Sequence, residues 1–141
     1  MSALTHVLPS SETVRRATFG LGIGVTVFGV VPILVPRWFC DAFGLPMTES
    51  PAADVVVRSV GVRDLINGLG IVSSTIHRGR VSPWLLARLV ADGTDTAAIL
   101  IAFASGARSW RLLMLGAMAL GATVADLVLY RSNKVGVTSI T

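Results

Sequence analysis

Four stretches of about twenty mostly apolar residues lie along this chain, at about residues 16–35, 55–76, 83–105 and 110–130. A helix of that length crosses roughly 30 Å of hydrocarbon. Inside lipid, every backbone N–H and C=O must be satisfied within the protein, so an isolated spanning segment has to be helical. The pattern predicts an all-α, integral membrane, antiparallel four-helix bundle, a single membrane domain over residues 1–141. The first and fourth stretches are clean. The second and third carry charges and read as spans only when taken together as a hairpin.

Composition agrees. Hydrophobic residues make up 52% of the chain and charged ones 14%, against about 25% charged in ordinary soluble domains. Mean hydropathy is +0.72, too high for a single water-soluble core in 141 residues. The formal charge of +4 does not mark a nucleic-acid partner. The arginines are scattered, and no basic run carries interleaved aromatics. They fit flanks that face anionic lipid. The one cysteine, Cys40, allows neither an intrachain disulfide nor a multi-cysteine zinc site, and reads as a packing residue.

The first stretch follows Arg15-Arg16 like a signal peptide. It is too long for that role, and it leaves through Pro36-Arg37-Trp38 with no small-residue cleavage site. It is expected to be a retained helix. Pro36 ends it, and Pro46 and Pro51 bracket the start of the second. Short links at residues 77–83 and 105–109 make neighbouring helices antiparallel. The tail beyond Arg131 is polar and is expected to be mobile. Arg15, Arg16, Arg78, Arg80, Arg131 and Lys134 fall on one side, and Arg37, Arg108 and Arg111 on the other, with Asp41 and Glu49. This predicts a multi-pass protein of the cell membrane with both termini cytoplasmic. Trp38, Phe39 and Phe43 in the outward loop suggest a short interfacial helix at about 37–44. Trp84, Trp110 and Tyr130 sit at span ends, where aromatic belts lie. Gly20 and Gly24 form a small-xxx-small pair, which serves either packing within the chain or a homodimer face.

The spans also hold charges. The second contains Arg58, Arg63, Asp64 and Asn67, the third Arg88, Asp92, Thr94 and Asp95, and the fourth Asp126. Each charge at a helix centre costs about 2.5–3.5 kcal/mol even on the mild insertion scale. Such groups persist when paired, solvated or used. Arg88, Asp92 and Asp95 are spaced i, i+4, i+7 and share a stripe with Trp84 and Ile99. Arg63, Asn67 and Gly70 share a face on the second span, with Asp64 beside it. Arg58 lies nearly opposite and could pair with Asp54 at i−4. Measured from the inner surface, Arg88 and Asp126 lie at roughly 6–8 Å, Asn67 and Asp92 near roughly 14 Å, and Arg63, Asp64 and Asp95 near roughly 18–20 Å. Two layers result. Arg88 could meet Asp126 in one; Arg63 could meet Asp95 or Asp92 in the other, with Asn67 donating to a carboxylate. Two arginines against four aspartates leave an excess of two negative charges, to be met by a proton or a bound cation.

The pattern Arg58-x-x-Gly61-x-Arg63-Asp64-x-x-x-Gly68, then Arg88-x-x-x-Asp92, together with Phe43-Gly44-Leu45-Pro46, resembles small four-span bacterial membrane proteins of a domain-of-unknown-function family. The likeness covers roughly residues 16–130. The resemblance implies a four-helix membrane bundle and attaches no activity.

The buried charges point first to an enzyme that performs acid–base chemistry on a lipophilic small molecule in a polar intramembrane pocket. The reaction would be cyclisation, isomerisation or epoxide opening. Asp92, Asp95 and Asp64 would serve as acid and base. Arg63 and Arg88 would orient them or stabilise negative charge. Asn67, Trp84, Asp126 and Thr94 would line the substrate. No cofactor is expected and no metal, because the chain has no metal-ligand spacing and no phosphate-cradling glycine loop. The expected partners are the lipophilic small molecule and the bilayer, with no nucleic acid and a homodimer through Gly20 and Gly24 as an option. Two other classes stay open: a non-catalytic membrane interaction or structural subunit, and a small proton-coupled transporter.

Overall fold

The computed structural model describes residues 11–45, 51–107 and 109–138, with side chains to Lys134. His6, Pro46, Glu49 and Arg108 lie outside the described residues. These form five helices: α1 (Ser11–Leu34), α2 (Pro36–Phe43), α3 (Pro51–Ile76), α4 (Ser82–Ala104) and α5 (Trp110–Thr138). No strand occurs among the described residues.

Proline sets several boundaries, since it fits the first helical turn and cannot extend a helix that precedes it. Pro36, Pro51 and Pro83 all stand in the first turn of a helix. Pro32 sits near the end of α1, which runs two residues further before Pro36 stops it. Ser109 starts α5 by accepting a hydrogen bond from the Leu112 N–H at 3.1 Å. The short α2 closes on Gly44 at φ 64°, where the Leu45 N–H reaches the Cys40 carbonyl at 2.9 Å.

The four long helices form two antiparallel pairs. In the α1–α3 pair the backbones touch. A methyl group on Gly29 would lie 2.8 Å from the Gly61 carbonyl oxygen, and one on Gly68 would lie 2.8 Å from that of Gly22. Gly22 and Gly29, like Gly61 and Gly68, stand one heptad apart, so each pair falls on one face of its helix. The α4–α5 pair meets along Arg88–Asp126, Thr96–Thr123 and Ile99–Gly116. Between the pairs contact is thinner. It includes the face of the Trp84 indole against Gly70, an Asn133 amide donating to the Thr18 hydroxyl at 3.2 Å, and the ionic links described below.

Burial is inverted relative to a water-soluble domain. Among the described residues the buried side chains include Thr18, Asp64, Asn67, Thr75, Arg88, Asp92 and Asp126, while Phe19, Val27, Ile66, Leu69, Val90, Leu100, Ile101, Leu113 and Val128 face outward. Two helices, Ser11–Leu34 and Trp110–Lys134, are long and apolar enough to cross a membrane. The α3 and α4 helices are just as long, but their charges lower their hydropathy.

Several expectations change. The last helix does not stop near Tyr130. It continues to Thr138, and Asn133 is held by Thr18 and its own Leu129 carbonyl. A short helix does follow the first long one, as α2, yet Phe39 and Phe43 turn inward onto Phe28, with ring centroids 5.7 and 6.4 Å away. Trp38 alone of the three is exposed. Gly20 and Gly24 do not pack against another helix of the chain, because a methyl group on either would meet nothing within 4 Å. Arg58 does not pair with Asp54. It donates to the carbonyl of Ile33, one of the last carbonyls of α1 that the helix itself leaves open.

Cys40 is buried and free. Burial pushes its thiol up, with repulsion from Asp41 and Asp54 adding to it. Only the thiolate attacks an electrophile. A maleimide at neutral pH is therefore expected to label the folded protein many times more slowly than the same chain unfolded in SDS. Equal rates would place Cys40 outside the α2 core.

Candidate functional site

Apart from Arg58, the charged residues well inside the apolar stretches gather along α4, on the sides it turns to α3 and to α5. Helix geometry delivers them. Arg88, Asp92 and Thr96 recur every four residues along α4, so they line one stripe. Asp126 and Thr123, three apart on α5, face that stripe. Arg63 and Asp64 reach it from α3.

Two groups form, each a single arginine between two aspartates. In the first, Arg88 Nη2 donates to Asp92 Oδ2 at 2.6 Å, and Arg88 Nε lies 3.2 Å from Asp126 Oδ1. All three side chains are buried. The Arg88 Nε–Asp126 contact is poorly aligned, so neither Asp126 oxygen has a hydrogen-bond partner, nor does Arg88 Nε. Asp126 is 0% exposed, which leaves its oxygens without water as well.

In the second group Arg63 binds Asp95 through both nitrogens of its fork, Nη1 to Oδ1 at 3.1 Å and Nη2 to Oδ2 at 2.7 Å. Its Nε and Nη2 also donate to Asp64 Oδ1 at 3.1 and 3.0 Å. Asp64 is buried, but the Arg63 and Asp95 side chains remain 31% and 39% exposed. The bidentate geometry is the strong form of an arginine–carboxylate pair.

Both ionic pairings expected from depth are present: Arg88 with Asp126, and Arg63 with Asp95 rather than Asp92. Asp92 turns instead to Arg88 on its own helix. Asn67 is buried nearby, but among the described residues no hydrogen bond joins its amide to a carboxylate. Trp84 lies toward the Ser82 end of α4, against Gly70. Thr94 is misplaced by the sequence expectation. It is exposed on the far side of α4, with its hydroxyl on the Val90 carbonyl, because it stands about 200° around the helix from Asp92. Thr96 and Thr123 were missed. Their hydroxyls meet at 3.3 Å across the α4–α5 seam, and the signal was the four-residue repeat Arg88, Asp92, Thr96.

Chemically, the arrangement joins adjacent carboxylates of unequal environment, one enclosed and one reachable, through guanidinium groups. Among the described residues no three His, Cys, Asp or Glu side chains converge to hold a metal ion. The clefts at Leu34–Asp54–Arg58 and at Glu12–Phe19–Thr75 open at opposite ends of the helices, away from this cluster.

Comparison with curated proteins and with solved structures finds no match. A protein family, described as Domain of unknown function (DUF4267), matches residues 22–138. That stretch contains α2 to α5, most of α1 and every residue of both arginine–aspartate groups, and the chain belongs to this family.

Proposed function

We propose that all four long helices cross the bilayer, with both termini cytoplasmic, and that the two Asp–Arg–Asp groups form a mid-membrane site for cofactor-free acid–base chemistry on a lipophilic small molecule. The inverted burial supports the first part. Buried polar side chains beside an apolar exterior suit a lipid solvent, and Asp64, Arg88 and Asp92 then face the protein interior. The observation that carries the second part is the unequal pair of groups, Arg88 with Asp92 and Asp126 enclosed, and Arg63 with Asp95 accessible.

For an epoxide, a carboxyl that holds a proton would give it to the ring oxygen as the C–O bond breaks. A neighbouring carboxylate would take a proton from the water whose oxygen forms the new C–O bond. One proton leaves the site and one returns, and the product is a diol. Arg63, held between two carboxylates, would keep the reachable one oriented. Isomerisation and cyclisation draw on the same acid and base.

The test is to purify wild type and Asp95→Asn in mild detergent and weigh the small molecules each retains. A stoichiometric non-phospholipid molecule in wild type, with a related but different mass in the variant, is the expected result. Ordinary phospholipid alone in both would remove the reading. One observation favours a second reading, a non-catalytic interaction subunit: Gly20 and Gly24 present an open face on α1. Loss of a partner on Gly24→Leu, with no effect of Asp95→Asn, would support that instead.

A further inference from the structure

The Arg63–Asp95 pair is the one part of the cluster that is not enclosed, and its chemistry selects a ligand class. Both residues stand 13 positions from the inner ends of their helices, at Ile76 and Ser82, which places them roughly 20 Å deep. An ion pair left a third exposed at that depth meets acyl chains or something polar brought to it, and the former is costly.

What would be bound follows from the hydrogen bonds and the charge. Arg63 makes four side-chain hydrogen bonds out of the five N–H groups a guanidinium carries, so it has little left to offer an acceptor. Asp95 receives only from Arg63 among the described residues and keeps free lone pairs. The surroundings are negative: Asp64, Asp92, Asp95 and Asp126 outnumber Arg63 and Arg88 by two, and an excess of one remains when one carboxyl holds the proton that the acid–base reading requires. Independently, Asp126 is fully enclosed in the neighbouring Arg88 group, and its oxygens, although ion-paired to Arg88 at 3.2 Å, accept no hydrogen bond. The cluster is therefore short of positive charge and of donors at once. A carboxylate or phosphate would be repelled, and a ketone or ester would find a single N–H.

We propose that the exposed side of the Arg63–Asp95 pair, between α3 and α4, binds a lipophilic molecule whose polar end is cationic and donates hydrogen bonds, such as a protonated long-chain amine. This inference rests on the reading of the cluster as a lipophile site, and it adds that a substrate would develop positive charge where it reacts. The amine then acts as a stable mimic of that reacting state. The exposed apolar residues next to Arg63 on α3, Val62 and Ile66, suit an alkyl chain.

The experiment uses the full chain in nanodiscs of phosphatidylcholine and equilibrium dialysis at neutral pH. The probes are N,N-dimethyldodecylamine, dodecanol and dodecanoate, each corrected for uptake by empty discs. The expected result is amine binding at least about tenfold tighter than that of the alcohol or the acid. Asp95→Asn is expected to lose it, Asp95→Glu to recover most of it, and Glu12→Gln to leave it unchanged. Circular dichroism and a melting curve on Asp95→Asn establish that the variant is folded. Equal amine binding by wild type and folded Asp95→Asn would overturn the proposal. Asp95-dependent binding of dodecanol or dodecanoate instead would overturn the cationic preference while leaving the lipophile site standing. No Asp95-dependent binding of any probe, together with no retained molecule in the purified protein, would end both.

Discussion

Arg88→Met is expected to destabilise the protein by about 3–5 kcal/mol, the usual consequence of removing one partner from a buried ion pair. Arg88 is the nearest cation to both Asp92 and Asp126, so its loss leaves two enclosed carboxylates facing each other across the α4–α5 seam. The opposite change has the opposite sign. Asp126→Asn removes a charge whose oxygens have no hydrogen-bond partner and leaves Arg88 with Asp92. It is expected to be neutral or mildly stabilising. The triple variant Arg88→Met, Asp92→Leu, Asp126→Leu has no buried charge at this level and is expected to regain most of the loss, since apolar replacement of a whole buried group is often neutral or better. The measurement is the unfolding midpoint on titrating SDS into mild detergent micelles. Arg88→Met melting with wild type would show that Arg88 does not hold the seam.

The second large effect lies in the α1–α3 pair. Gly61→Leu is expected to separate these helices, at a cost of about 3 kcal/mol or more, the upper end for overpacking. The side chain would have to enter space held by backbone. Even a methyl on Gly61 would lie 2.6 Å from the Gly29 carbonyl oxygen, and a carbonyl cannot step aside as a flexible side chain can. Gly29→Leu should behave alike. Gly20→Leu and Gly24→Leu, on the same helix, face open space and are expected to leave the monomer's melting unchanged. Circular dichroism melts of the four variants separate the cases. Comparable losses at Gly24 and Gly29 would contradict the packing described here.

The ionic pairs were largely legible because two short-range rules act together. Helical spacing puts Arg88 and Asp92 on one stripe, and a rise of about 1.5 Å per residue brings Arg63 level with Asp95 and Arg88 near Asp126 on antiparallel neighbours. The cost of a lone charge in an apolar interior does the rest. Where a residue had two solutions of similar energy, spacing could not choose. Arg58 had Asp54 one turn away and also the open end of α1 across the seam, and it took the Ile33 carbonyl. Asn67 lies at the right depth for a carboxylate but forms no such bond among the described residues. Thr94 sits beside the charged stripe in sequence yet on the opposite side of its helix.

Glycine gave the weakest guidance. Gly20-x-x-x-Gly24 carries the familiar small-residue spacing, but the close contacts fall on Gly22 and Gly29, a heptad apart. Both spacings place a pair on one helix face, and nothing local distinguishes them. The partner's own Gly61 and Gly68 do.

By itself the sequence determined that the chain is helical, where prolines break it, and that its charges must meet inside. These follow from backbone hydrogen bonding, ring sterics and the cost of bare charge, all local or nearly so. Only the tertiary structure decided which face of α1 closes on α3, that Arg88 is shared between Asp92 and Asp126, and that Asp95 rather than Asp92 stays within reach from outside. Those outcomes depend on the rotation of each helix about its own axis. That rotation is set by how two surfaces fit, Gly29 against Gly61 and Trp84 against Gly70, and the fit is a property of the pair of helices rather than of either one.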